Sequence, residues 1–225
     1  MTVNAIAIDI EGMDTIPTAL ILSIGAFAFD VTDLNATQQA IMDVNKDAEL
    51  QDHSQFAFYR RTDSFDQLIS GRTVSIPTQE WWKKQGEEAH EALTGKRVSL
   101  GEALSNLKQW IAQNPDARIF FRGPDFDGSI LENAYRAHGI ECPWKYNGKR
   151  DIRTYIDAMV RGGKGYIKDH QPCFPVVKHH SLHDAMNDAE QMATAYMMND
   201  GKTIPLNELK KVTASTKRRA GVKNA

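Results

Sequence analysis

Asp9 and Glu11 stand two residues apart at the end of the stretch Asn4-Ala5-Ile6-Ala7-Ile8-Asp9-Ile10-Glu11-Gly12. A run of Ile and Ala fits a strand covered on both faces, and residues i and i+2 of a strand point the same way. The two carboxylates would therefore aim at one spot, with Ile10 turned away into the core. Carboxylates held that close repel, and burial raises the cost, so the pair calls for a counter-charge. A hard divalent cation such as Mg²⁺, which prefers oxygen ligands, supplies it. The plain alternative puts both acids just past the strand end, in solvent. Asp127, in Gly123-Pro124-Asp125-Phe126-Asp127, sits where a strand hands over to a helix, the usual crevice for sites in α/β folds. Its ordinary role there would be a helix N-cap. His183 and Asp188 lie near the start of the last predicted helix. Five positions on a regular helix turn through roughly 140°, so the two cannot share a face deep in a helix. With Ser181 as N-cap, His183 falls in the first turn, from which its ring can swing over the site while Asp188 enters from one turn further on. Asp184, on the same face as Asp188, is the rival ligand.

The elements that must hold these groups follow from the rest of the pattern. Met13 to Thr18 reads as a loop through Pro17, and Ala19 to Asp30 as a second strand in which Gly25 marks a bulge or a close approach. Val31 to Ser54 reads as a connection with a helical turn around Gln38 to Met42, and Gln55 to Arg60 alternates as a third strand. Thr78 is the expected N-cap of one helix running to Leu93 and stopped by Gly95. Ser99 and Glu102 form a capping box for a helix to Gln113, with Leu100, Leu104, Leu107 and Ile111 on one face. Arg118 to Arg122 is a short apolar strand; Asp127 to His138, Asp151 to Val160 and Ser181 to Asn199 are predicted helices, the last ended by Gly201. Arg161 to Val177, with three Gly and two Pro, is an irregular loop. Early strands followed by helices alternating with short strands fit an α/β mixed sheet flanked by helices.

The 225 residues, 41% hydrophobic and 25% charged, suit one core of ordinary globular composition. The expected organisation is a domain over residues 1–201 and a basic, flexible tail over 202–225. That tail carries seven Lys or Arg and one acid, +6 of a net charge of −2, which leaves −8 on the remainder. An acidic body argues against a protein that coats nucleic acid, though not against an enzyme that grips it locally. Lys145 to Lys178 holds eight Lys or Arg and three acids, a candidate phosphate-facing wall or a solvated loop face. The most apolar run, Ala19 to Val31, is interrupted by Ser23, Gly25 and Asp30, too short to span a membrane. No secretory signal is visible at the N-terminus. Cys142 and Cys173 are isolated, which fits a reducing cytoplasm.

As a set, Asp9-x-Glu11, Phe126-Asp127 and His183-x-x-x-x-Asp188 resemble the three motifs of the DEDD 3′-to-5′ exonucleases, in the subclass with a histidine. The likeness is strongest to the DexA-type exonucleases of T-even bacteriophages and the related bacterial exoribonuclease-like domain. It spans roughly residues 4 to 200 and takes in Glu80-Trp81-Trp82-x-x-Gln85, Arg122-Gly123-x-x-Phe126-Asp127-x-x-Ile130-Leu131, Arg150-Asp151-Ile152-Arg153-Thr154 and Ser181-x-His183-Asp184. The resemblance implies a ribonuclease H-like core, two Mg²⁺ or Mn²⁺ ions per active site, and release of nucleoside 5′-monophosphates from nucleic acid 3′ ends in a bacterial or phage-infected cytoplasm. DNA is the favoured substrate and RNA the alternative. Hydrolysis needs an attacking hydroxide, neutralised non-bridging oxygens and a stabilised 3′ oxyanion, and two metals about 3.5 to 4 Å apart supply all three. In that scheme Asp9 bridges both ions, Glu11 and Asp188 serve the nucleophile side, Asp127 serves the leaving-group side, and His183 accepts the water proton near neutral pH.

Gly12, Met13, Trp82, Gln85, Arg122, Phe126 and Arg153 are the expected substrate contacts. Gly12 stands where the family often has Thr, a departure at the position beside the terminal nucleotide. Trp81 and Trp82 lie about 100° apart on a helix, so one packs in the core while the other, with Gln85, borders that nucleotide; a purely structural pair is the alternative. His179, His180, His183 and Cys173 match no standard structural-zinc spacing. Two other functions compete. An inactive nucleic-acid-binding module would not need all five site residues. A phosphatase with an Asp nucleophile would want a second Asp where Glu11 stands, and a lysine motif.

Overall fold

The computed structural model describes residues 2–47 and 54–199. Five strands form one sheet: β1 (Ala5–Gly12), β2 (Ile21–Phe29), β3 (Ala57–Arg61), β4 (Arg118–Phe121) and β5 (Lys149–Asp151), in the order β3-β2-β1-β4-β5. β1 runs antiparallel to β2 and parallel to β4, so the sheet is mixed with β1 at its centre. Alternation along β1 sorts its side chains between two cores. Ile6, Ile8 and Ile10 pack under α5 (Leu100–Ile111) and α6 (Ser129–Ala137). Ala5 and Ala7 pack under α1 (Leu34–Lys46), α7 (Ile152–Val160) and α8 (Ser181–Asn199). Asp9 and Glu11 continue the alanine row, so period two delivers both acids to the α8 face.

The capping box at Ser99 forms as expected on its hydroxyl side, accepting from the Glu102 N–H, and Leu100, Leu104, Leu107 and Ile111 are all buried. The connection after β2 differs from expectation: it contains a full helix, α1, capped by Asp33, whose carboxylate accepts from Ala36 N at 3.0 Å. Its buried stripe is Thr37, Ala40, Ile41 and Val44, at i, i+3, i+4 and i+7, but small and polar members mute the pattern. The helix expected from Thr78 to Leu93 is two, α3 (Ile76–Trp82) and α4 (Glu87–Ala92). Ser75, not Thr78, caps the first, with Pro77 in the first turn where a missing N–H costs nothing, and Gly86 caps the second. A short helix, α2 (Ser64–Ile69), and the three-residue β5 had no expectation behind them. Gly201 and the 202–225 tail lie outside the described residues. Among the described residues no helix is long and apolar enough to cross a membrane.

Candidate active site

The acids meet at the C-terminal edge of β1 and β4, at the head of a cavity of about 570 Å³. Each arrives by a different local device. Asp9 and Glu11 come from β1. Asp127 comes from a single π-helical turn, Pro124–Gly128, which begins after Gly123 at φ 151° and leads into α6; it is buried inside that turn and is not the helix N-cap. Such turns recur at functional sites. Asp184 and Asp188 lie one turn apart on the first half of α8, on one face. α8 can reach them across the sheet because Asp9 pairs with Gly25 on β2, and a Cβ at Gly25 would lie 2.2 Å from Leu182 N and Ser181 C. Gly25 is thus a close approach rather than a bulge. The buried Ser23 and Ser181 hydroxyls, 3.0 Å apart, pin the same contact. Gly25→Ala is expected to cost more than about 3 kcal/mol or to displace α8, since backbone cannot yield as a side chain does. Urea denaturation checks this, and a change within about 0.5 kcal/mol would show the helix to be freely adjustable.

Crowding sets the electrostatics. Surrounding protein strips water from Asp9 and pushes its pKa well up, and Asp127, Glu11, Asp184 and Asp188 push it further. Glu11 is raised well above its ordinary value by burial and then by Asp184 and Asp127. Asp127 rises to about 7 through burial, although N–H groups of Ile10 and of its own backbone pull it down. Asp184 reaches about 7 through burial and Asp188, opposed by the His179 N–H, which donates to its Oδ2 at 3.0 Å. Asp188 differs in accepting a hydrogen bond from an arginine. Burial raises it, but Arg122 Nε donates to its Oδ1 at 2.7 Å, and Arg122 Nη2 lies 2.5 Å from the same oxygen in a contact poorly aligned for a hydrogen bond.

The histidines are placed differently from the sequence expectation. His183 does not line the cavity. Its Nδ1 accepts from Val177 N–H at 3.1 Å, its ring stacks on His180 at 4.3 Å and meets Phe174 edge-on, and burial lowers its pKa to about 4. The imidazole beside the acids is His179, at φ 63°, with Nδ1 3.9 Å from Glu11 Oε1. Ligand atoms of Glu11, His179 and Asp184 all lie within 4.8 Å of one another. An oxygen-rich donor set with mutual repulsion, whose cationic neighbours among the described lining residues are Arg122, bonded to Asp188, and Arg153 and Lys178, fits hard divalent ions.

Of the expected substrate contacts, Arg122, Phe126 and Arg153 line the cavity, whereas Gly12, Met13, Trp82 and Gln85 do not. Trp82 is the interior ring of the tryptophan pair, 5% exposed, with its indole N–H on Gly12 O at 2.9 Å. Trp81 is the exposed one, edge-on to His179 at 4.7 Å. Gln85 turns back to donate to Trp81 O. His179 on the cavity wall was missed as a site residue by the sequence reading, and Tyr166 and Lys178, which also line it, were singled out only as part of the Lys145 to Lys178 segment. A signal for the first existed: His179-x-x-x-x-Asp184 has the same spacing as His183-x-x-x-x-Asp188.

A mixed sheet of this order flanked by helices is a ribonuclease H-like fold, here with acids brought together from β1, from the turn after β4 and from a C-terminal helix. More narrowly, the family described as the 3′-5′ exoribonuclease Rv2179c-like domain matches residues 4–196, and the chain belongs to it. Among solved structures, the nuclease domain of 3′hExo, a DEDDh family member bound to rAMP, superposes with a TM-score of 0.51 at 11% identity, covering 88% of this chain and 92% of that one. No curated protein matches the chain.

Proposed function

We propose that this protein is a two-metal 3′-to-5′ exonuclease that removes nucleoside 5′-monophosphates from RNA. The observation that carries the reading is the convergence of Asp9, Glu11, Asp127, Asp184 and Asp188 around one cavity with His179 beside them. The family description favours RNA over the DNA expected from the sequence. Asp9, Glu11, Asp127 and Asp184 would hold the ions, since Asp188 is already neutralised by Arg122. Bound divalent ions would offset the charge of the phosphate and activate the attacking water. His179 takes the proton from that water in place of His183, because it is the ring at the acids and burial, with Lys178 beside it, keeps it neutral. Arg153 and Lys178 face the incoming polyanion from the rim. Incubating the protein with 5′-labelled RNA and matched DNA in Mg²⁺ or Mn²⁺ should give a descending ladder, faster on RNA and stopped by EDTA. Immediate release of the labelled 5′ nucleotide would reverse the polarity, and preferential loss of DNA would restore the earlier expectation.

A further inference from the structure

We infer that the N-terminal ends of β4 and β5 carry a second nucleic-acid contact, a basic groove that holds phosphates of a single strand away from the acids. The inference rests on the nuclease reading and extends it from the chain end to the rest of the strand. The basic segment Lys145 to Lys178 does not form one wall. Arg153, Tyr166 and Lys178 line the cavity at the acids, whereas Lys145, Gly148 and Arg150 line another, of about 540 Å³, that shares no lining residue with it. Arg118 and Lys108 line this second cavity too. β4 runs parallel to β1 and β5 parallel to β4, so the acids sit at one end of these strands and the groove at the other. Arg118 and Arg122 are about 13 Å apart along β4 at the usual strand rise, beyond the reach of a dinucleotide held at the acids.

The charge of the groove is left for a ligand. Among the described residues the one acid on its lining is Glu141, and Lys108 Nζ donates to it at 3.0 Å. Glu132, behind the segment, is taken by Lys149 Nζ at 2.9 Å and by the Trp144 indole N–H at 3.0 Å. Arg118, Lys145 and Arg150 are exposed. The Arg150 guanidinium is aimed by carbonyls and not by a carboxylate: its Nη1 donates to Asn147 O at 2.9 Å and to Lys149 O at 3.0 Å, which orients the charge without neutralising it. Such a cluster on a chain of net charge −2 is a local attractor for a polyanion.

The same segment supplies an aromatic ring. Gly148 N–H donates to Lys145 O at 2.8 Å and closes a turn, and a Cβ on Gly148 would meet that oxygen at 3.0 Å. Trp144 roots the turn, 7% exposed and edge-on to both Phe121 and Tyr135. At the tip stands Tyr146, 92% exposed, between Lys145 and Asn147, which line the groove. Cationic tracks interleaved with exposed aromatic rings bind single strands, the cations through phosphates and the rings by stacking on bases. A duplex offers the phosphates but keeps its base faces stacked, so the ring favours an unpaired strand.

The test separates binding from cleavage. Wild type is compared with Arg118→Ala/Lys145→Ala, with Tyr146→Ala, and with a charge-matched control, Lys96→Ala/Arg97→Ala, exposed residues beside β3 at the far edge of the sheet. Binding of a long unstructured RNA is read by fluorescence anisotropy in EDTA over a salt series, and kcat and KM are read on that RNA and on a dinucleotide. Arg118→Ala/Lys145→Ala should raise KM on the long RNA about ten-fold with kcat unchanged, and leave the dinucleotide unaffected. It should also flatten the plot of log affinity against log salt by about 1.4, twice the contribution of one phosphate contact on a single strand. Tyr146→Ala should raise KM on the long RNA about five-fold or more, the size of one base stack, at an unchanged salt slope. An equal fall in the control would make the effect one of net charge and overturn the inference, as would an equal loss on the dinucleotide. A Tyr146→Ala loss as large on duplex as on single-stranded RNA would overturn the choice of an unpaired strand. Absence of cleavage by the wild type, with the slope change intact, would defeat the nuclease reading and uphold the groove; cleavage with no change of slope would defeat the groove alone.

Discussion

Asp9→Asn should abolish cleavage and at the same time make the metal-free protein more stable. Asp9 stands at the centre of the cluster, pushed up by burial and by all four other acids, so it is the group most dependent on a cation to remain charged. Its loss should exceed the about 10²- to 10⁴-fold cost of removing a general base, because more than one ion would lose a ligand. The same substitution removes a repelled charge, and about 1 kcal/mol shifts the Tm of a chain this size by about 2–4 °C. Metal-free wild type should also respond to pH. Asp127 and Asp184 titrate at about 7 when folded against 3.8 ordinarily, so the folded state binds more protons between those values and stability falls as pH rises through 7. Buried His180 and His183, lowered to about 3 and about 4, work oppositely: unfolding is favoured as pH falls below 6.5. The Tm in EDTA should thus climb from pH 8 to about 6.5 and flatten or reverse below. Added Mn²⁺ should remove the slope and raise the wild-type Tm more than that of the variant. A variant less stable than wild type in EDTA at pH 8 would refute the crowding account.

His179→Ala should lose about 10²- to 10⁴-fold in turnover, or roughly 3–5 kcal/mol of barrier, with the Tm little changed. His179 is partly exposed, its ring meets Trp81 and Trp82 edge-on, and its Nδ1 stands 3.9 Å from Glu11 Oε1, beyond hydrogen-bond reach, so its removal breaks no hydrogen bond of a buried group. Burial and Lys178 lower its pKa, which places the acidic limb of the rate profile below the ordinary histidine value of 6.5. That limb should vanish in the variant. His183→Ala should behave in the opposite way. It orphans the Val177 N–H and opens space beside Phe174 and His180, a loss of about 1–3 kcal/mol in stability, with turnover falling less than in His179→Ala. Measuring kcat and Tm on both variants separates the two roles. If His183→Ala costs more turnover at an unchanged Tm, the proton acceptor is His183 after all.

The amino-acid sequence by itself determined the strand ending in Asp9 and Glu11, because period two in a buried Ile/Ala run leaves only one side for the acids. It likewise determined the Ser99-capped helix, where cap and apolar stripe agree, and the extent of the last helix, although Ser181 is its first helical residue, with its hydroxyl on Ser23, and not its N-cap. The approach at Gly25 was legible as one of two options, since a glycine inside a strand marks an unusual neighbour without saying which. Local pattern was insufficient where helix breaks depend on competing caps, as at Ser75 and Gly86, or where short residues carry the buried face, as in α1. The histidine was undecidable from spacing: His179 and His183 each precede an aspartate by five positions, one helical turn apart. Only the tertiary structure shows where the two rings sit, and backbone direction separates them. His179 lies just before α8 with φ 63°, which turns its ring toward Glu11, while His183 is already helical and points down into Phe174. Asp188 was set apart in the same way, by an arginine brought from the end of β4, far from it in sequence. Which carboxylate is free and which ring is exposed are properties of neighbours remote in sequence, and no local periodicity encodes them.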